Sequence, residues 1–498
     1  TARGLTRAAA YGLNDAIFVK HAWQRWGYDY RLPEIYPPAA SEFQWMNGSQ
    51  HATDLPGIQA IRKAAADAGI LFCPHDNYID FYPDAEGFSY DNIVFNRHGA
   101  PVKHWYNVAR RAQSYRWLPH AFHAHLRANV ERMRTGFSPD SLFLDVFTAV
   151  TPFDYYDRAG NFYPHTRTAK EWGDAFNNAR RLLKPTAPMV SEAGLDALVG
   201  SLDGAQSDHF PAQRWDMKFT DAERTPWHDM ATHGRFVLFA GGLANRYGAL
   251  RWDYITQPGH GYDSDDYLSN TVIGGRNPMS DGPFSRSAVM TYWLLHDVCA
   301  SLARATFETH AFGSNVHQQH TTFSNGGKVW TNRGKADWEI TVDGRGTPVP
   351  GGKKVGLPEY GFYAETPESR AGVVYLSGRR AAFSISKGIF FADARPASNP
   401  ASGVNPLTDF GPLATNGAFR LFHDNARTWR LIPLPDGGPF HAELRLKALN
   451  AGRRKIKAVE ILSERGEKPA GSVPRWKQTG DVLTLDADGK AFGYRIVF

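Results

Sequence analysis

A chain of 498 residues with 42% hydrophobic and 21% charged side chains has length for two or three domains and apolar groups for a sizeable core, which excludes global disorder. Its 56 Lys and Arg against 50 Asp and Glu leave a net +6, too dilute over this length to mark a nucleic-acid or anionic-membrane partner. No apolar run reaches the roughly 18 residues a membrane span needs.

From residue 15 to 305 strand and helix patterns alternate. A strand over 17–19 runs into Lys20 and His21. A helix over 57–68 carries Ile58, Ile61 and Ala65 at helical spacing and stops at Gly69. The next strand, 70–73, runs into Pro74, His75, Asp76 and Asn77. A helix over 119–134 precedes a strand over 142–144 that ends on Asp145. A helix over 168–183 precedes a strand over 189–190 that ends on Ser191 and Glu192. Successive strand–helix units predict a parallel sheet, and polar residues gathered at the strand ends match the face on which a (β/α)8 barrel builds its site. No Gly-x-Gly-x-x-Gly follows an early strand, which disfavours a doubly wound dinucleotide fold.

After a long apolar helix over 285–303 the pattern changes. Short strands over 321–323, 328–331, 338–342, 361–364, 373–376, 381–384, 389–391, 482–485 and 494–498 are separated by Gly, Asn, Asp and Pro. The expectation is a mixed α/β plus all-β protein, a (β/α)8-type catalytic barrel over 1–305 followed by a C-terminal β-sandwich region over 306–498 of one or two modules.

Asp145 and Glu192 stand 47 residues apart, room for one helix and two loops between neighbouring barrel strands. Two carboxylates facing one cavity suit glycoside hydrolysis, where one attacks or stabilises the anomeric centre and the other protonates the leaving oxygen. Their structural alternative is helix capping or pairing with Arg. Asp208 and His209 form a further strand-end candidate, with Asp208 a rival for either carboxylate role. Asp154 and Asp157 sit in the aromatic loop after Asp145. His21, Trp23, Gln24, Arg25 and Asp29 mix hydrogen-bonding and stacking groups, and His75, Asp76 and Asn77 extend the same candidate sugar-binding surface. The 14 Trp and 21 Tyr fit such a surface and fit aromatic packing equally well.

No metal or organic cofactor is expected. His120, His123 and His125 share one helix without a His-Glu-x-x-His motif, and Asp263, Asp265 and Asp266 lack the downstream residues of a calcium loop, so a structural calcium is left open without support. Cys73 and Cys299 read as buried thiols. No phosphate loop or Gly-x-Ser-x-Gly elbow is present.

The segment Leu-Asp-Val-Phe-Thr-Ala-Val-Thr-Pro-Phe-Asp-Tyr-Tyr-Asp, followed by Val-Ser-Glu-Ala-Gly, resembles the catalytic region of bacterial endo-α-N-acetylgalactosaminidases, glycoside hydrolase families 101 and 129 and their uncharacterised relatives. Thr-Phe-Ser-Asn-Gly-Gly-Lys-Val-Trp-Thr-Asn-Arg-Gly, then Leu-Pro-Glu-Tyr-Gly-Phe, is similar to the β-sandwich that follows their barrel. The resemblance spans residues 15–365 and implies a nucleophile at Asp145 and an acid/base at Glu192. Such enzymes often carry a large β-domain ahead of the barrel, whereas this chain opens almost at its first strand.

The resulting expectation is a retaining hydrolase of an α-linked glycan, of α-galactoside or α-N-acetylgalactosaminide type. It would act on oligo- or polysaccharides or glycoconjugates, and would be secreted or periplasmic. A polysaccharide lyase and a non-catalytic glycan-binding protein are the rivals. Oligomeric state is not legible.

Overall fold

The structure is a computed structural model describing residues 1–27, 30–35, 45–46, 50–51, 54–108, 110–206, 226–240, 261–280, 282–342, 353–395, 405–452, 454–464 and 474–498. The chain divides into two compact units, Thr1–Met217 with Arg235–Ala244, and Lys218–Gly234 with Asn245–Phe498.

The first unit holds α1 (Ala2–Ala10), β1 (Ile17–Lys20), α2 (Leu55–Asp67), β2 (Leu71–Asn77), α3 (His123–Gly136), β3 (Leu142–Asp145), α4 (His165–Leu183), β4 (Met189–Ser191), β5 (Gly204–Gln206) and β6 (Val237–Ala240). The six strands pair in parallel, each with its successor in sequence. An order that never reverses is the winding of a parallel half-barrel rather than of a doubly wound sheet, whose order turns back on itself. Local chemistry sets the helices. Asp54 caps α2 by accepting the Gly57 N–H at 2.9 Å, and Ile58, Ile61 and Ala65 form its buried stripe. Leu126, Val130 and Met133 do the same on α3, and Trp172, Ala175, Phe176 and Ala179 on α4. All four residues of β3 are buried, as expected of a parallel strand covered on both faces.

Pro74 lies inside β2, where a missing N–H would break a ladder. It falls where the strand changes partner: Leu71–Pro74 pair with β1, and His75–Asn77 pair with β3. The strand therefore runs beyond the predicted 70–73 and brings His75 and Asn77 into the sheet beside Phe143 and Asp145.

The second unit contains α5 (Trp227–Thr232), α6 (Asp265–Ile273) and α7 (Arg286–Leu302), followed by strands. Thirteen described strands between Phe307–Phe312 and Gly493–Val497 form an antiparallel sheet, and five more, including Phe440–Arg445 and Val482–Ala487, form a second. Phe383, Phe419, Leu431 and Ile496 of the larger sheet and Ala442, Leu444, Leu483 and Leu485 of the smaller belong to one hydrophobic cluster, so a single core joins the two sheets. No helix follows Leu302 among the described residues. The sequence expectation ran the barrel to 305, but the helix read over 285–303, here α7, falls in the second unit. The reason is local: Trp293 packs on Phe391, its carbonyl accepts the Ser384 hydroxyl at 2.6 Å, and Asp297 on the same helix accepts from Ser386 and Arg420.

Candidate active site

Ser191 pairs with Leu144, so Asp145 and Glu192, the next residue of each segment, stand level at the C-terminal ends of adjacent strands. The chain turns sharply after Asp145. The Phe147 N–H returns to the Asp145 carbonyl at 2.8 Å, closing a three-residue γ-turn around Val146, whose φ is +65°. The Val146 N–H points at Glu192 and donates to its Oε2 at 3.2 Å. Below them Thr148 donates to the Ser191 hydroxyl at 3.0 Å, and that hydroxyl donates to the Leu144 carbonyl, locking the two strand ends together. Two residues beyond Glu192, Gly194 has φ +83°, and a Cβ there would sit 2.8 Å from Ala205 and from Phe236. Only glycine fits that bend.

Asp145 is 2% exposed. His75, fully buried on the neighbouring strand, brings Nε2 to 3.1 Å from Asp145 Oδ2. The His75 carbonyl is clamped by Trp23 Nε1 at 2.7 Å and Gln24 Nε2 at 2.8 Å, and its ring stacks on Phe143. His21 lies with its ring centroid 5.0 Å from that of His75. Although reachable by solvent, it is held neutral: desolvation first, then His75 and Lys20, push its pKa down to about 3. Burial likewise lowers the Lys20 pKa. The strand ends thus carry two carboxylates beside two histidines, with His21 kept uncharged.

Asn77 pairs in register with Asp145 and serves as an anchor. Its Oδ1 accepts the N–H groups of Ile79 and Asp80, and its Nδ2 donates to Asp80 Oδ2 at 2.9 Å. Asp80, buried, also accepts from His104 Nδ1 at 2.7 Å, the Ser114 hydroxyl at 2.6 Å and the Trp105 N–H at 3.2 Å. Burial works against its charge, but His104, Ser114 and Asn77 outweigh burial and hold its pKa below the ordinary carboxylate value. This carboxylate fastens the three-stranded antiparallel insert after β2, with the strands Asp80–Phe81, Ala112–Arg116 and Lys103–Asn107, to the strand end that faces Asp145. Sequence reasoning missed Asp80. Its spacing of three from Asn77 was the available signal.

Several expected sugar contacts have other work. Trp23 is fully buried with its ring edge-on to Phe137, so it packs and clamps rather than offering a stacking face. Gln24 is fully buried as well. Arg25 sits over the Trp26 ring. Asp76 projects to the other side of β2 from His75, as strand alternation requires, and accepts the Tyr78 hydroxyl. Desolvation raises its pKa to about 6. Asp154 accepts the His165 N–H at the start of α4, and Asp157 holds the Asn161 turn of a hairpin. Asp29, Asp208 and His209 lie outside the described residues.

Among the described residues no group of three or more His, Cys, Asp and Glu could hold a metal. His120 meets Tyr155, His123 meets Glu171, and His125 packs on Trp117. Asp265 pairs with Arg380 and Arg395, and Asp266 with Arg333. The run holding Asp263, Asp265 and Asp266 is a helix start, where Ser264 accepts the Tyr267 N–H at 3.2 Å. Cys73 and Cys299 are buried free thiols. No described helix is long and apolar enough to cross a membrane.

No family model and no curated protein matches the sequence. Solved structures do. The ligand-free α-N-acetylgalactosaminidase NagBb from Bifidobacterium bifidum matches at TM-score 0.50 and 19% identity, over 66% of this chain and 50% of that one. Its GalNAc complex matches at 0.50 and 17% over the same shares. An α-L-fucosidase isoenzyme 2 from Paenibacillus thiaminolyticus matches more weakly, at 0.40 and 12%, over 100% of this chain and 96% of that one. The chain spans about half the length of the NagBb structures. At this identity the likeness establishes a glycosidase-type fold of mixed α/β and antiparallel β parts.

Proposed function

We propose that the protein is a retaining glycoside hydrolase of α-linked glycans, with a complete (β/α)8 barrel in the manner of glycoside hydrolase families 101 and 129. The observation that carries this reading is the level placement of Asp145 and Glu192 on adjacent strand ends, tied by the Val146 N–H. The likeness to a solved α-N-acetylgalactosaminidase supports a galactose-type sugar, either an α-galactoside or an α-N-acetylgalactosaminide.

In the reaction, Asp145 attacks the anomeric carbon as the glycosidic C–O bond breaks, and Glu192 gives its proton to the departing oxygen. Water then attacks the glycosyl-Asp145 ester and loses its proton to Glu192, which releases the sugar with its configuration retained. His75 lies beside Asp145, its Nε2 3.1 Å from Oδ2, and steadies the attacking carboxylate from the neighbouring strand. His21, neutral, adds no competing positive charge. The chemistry needs no cofactor. Glycan substrates of this kind place the enzyme outside the cytoplasm, secreted or periplasmic.

The test is hydrolysis of aryl α- and β-glycosides of galactose, N-acetylgalactosamine, glucose and fucose by wild type, Asp145→Asn and Glu192→Gln. Turnover of one α-glycoside, lowered about 10²-fold or more in both variants and giving the α-anomer first by NMR, is the expected outcome. Undiminished activity in either variant, or a β-anomer as first product, would overturn it.

A further inference from the structure

Val146 occupies a position its side chain disfavours. A β-branched residue at φ +65° is a backbone outlier, and the γ-turn it centres is the rare, strained form. Strain of this kind persists only where the surroundings enforce it, and it gathers at functional sites. Here it has one visible product: the Val146 N–H, which an extended strand would direct into the sheet ladder, is directed at Glu192 Oε2, while the Asp145 carbonyl accepts from Phe147.

We propose that Val146 is a positioning residue, its strained turn fixing the Glu192 carboxyl against the strand end of Asp145 and assigning its two oxygens different roles. This rests on the carboxylate-pair reading above. An oxygen that accepts an amide N–H is the carbonyl-type oxygen of the protonated acid, so the transferable proton resides on Oε1. Oε1 is then the atom that meets the leaving oxygen.

Glycine at 146 removes the steric penalty and also the constraint, because it samples either sign of φ freely. The experiment compares the full chain with Val146→Gly and Val146→Ile. For Val146→Gly the expected result is a kcat lowered about tenfold or more, a KM within about twofold, and a melting temperature unchanged or raised by about a few degrees. Val146→Ile retains wild-type values. An unchanged kcat in Val146→Gly, or a kcat that falls together with the melting temperature, overturns the proposal. If the wild type is silent on every glycoside, the functional reading fails, and the ¹³C NMR signal of the Glu192 carboxyl decides the positioning separately. A signal displaced in Val146→Gly but not in Val146→Ile supports it, and one unmoved in both overturns it.

Discussion

Beneath the strand ends of the first unit, His75, Asp145 and Asp76 are buried in the company of backbone carbonyls, a tyrosine and another histidine. The second unit also buries charge, but there, among the described residues, the buried carboxylates each meet a guanidinium: Asp229 with Arg276, Asp266 with Arg333, Glu365 with Arg370, Asp393 with Arg395. Neutralised pairs inside an apolar cluster hold an architecture, since neither partner gains by changing its protonation state. Carboxylates beside histidines and backbone donors keep their protonation open to the surroundings, which is what acid–base chemistry requires. The positive φ at Val146, next to the best-placed carboxylate, adds strain where the polar groups are least conventionally paired.

Breaking a pair in the second unit therefore costs stability, and breaking one at the strand ends costs activity. The largest effect is expected for Asp229→Ala. Arg276 donates to Asp229 through Nε at 2.5 Å and Nη2 at 2.7 Å with both side chains at 1% exposure or less, so removing the carboxylate strands a buried guanidinium. The expected loss is about 3–5 kcal/mol in urea unfolding, with the specific activity of the folded protein unchanged. His75→Phe is the mirror case. The ring still packs on Phe143, but the imidazole beside Asp145 is lost. Steady-state kinetics are expected to show kcat reduced about 10- to 100-fold, equivalent to about 1.4–2.7 kcal/mol of barrier, with less than 1 kcal/mol lost in unfolding. A large stability loss in His75→Phe would erase the distinction between the two units.

What the sequence made legible follows the same division. The strand-end placement of Asp145 and Glu192 was legible because each carboxylate closes a short apolar run, and the strand–helix alternation sets both runs side by side in one parallel sheet. Trp23 and Gln24 were read as a sugar face because nothing local reveals that both side chains turn inward to the carbonyl of His75, more than fifty residues away. Asp76 and His75 are neighbours in sequence but opposite in facing, and the register that separates them depends on Pro74 moving the strand from one partner to the next. The helix α7 is apolar nearly all round, so its pattern fits any packing partner, and only the contacts of Trp293 assign it to the β-rich unit. The γ-turn at Val146 could not be anticipated at all, because the residue present is among the least suited to it. Local preference and tertiary structure disagree there, which is a mark of sites shaped for function.

Asp76 gives the smallest predicted effect and the one whose sign is most informative. It lies on β2 between His75 and Asn77, yet its carboxyl is buried on the opposite face and accepts the Tyr78 hydroxyl. Folding raises its pKa from 3.8 to about 6, chiefly by desolvation. Between those values the native protein keeps a proton that the unfolded chain has released, so this group's contribution is fully present below about pH 4 and is lost as pH rises through 6. At pH 8 the folded protein bears the cost of a buried charge. Asp76→Asn retains an oxygen for Tyr78 and removes that charge. It is expected to stabilise by about 1–2 kcal/mol at pH 8 and to have no stabilising effect at pH 4, measured as thermal unfolding across the range. The kcat of the variant should stay within about twofold of wild type, because the carboxyl faces away from Asp145. Stabilisation with activity intact separates the two faces of one strand. A loss of activity without stabilisation would instead place Asp76 with the reacting groups, and β2 would then contribute chemistry from both sides.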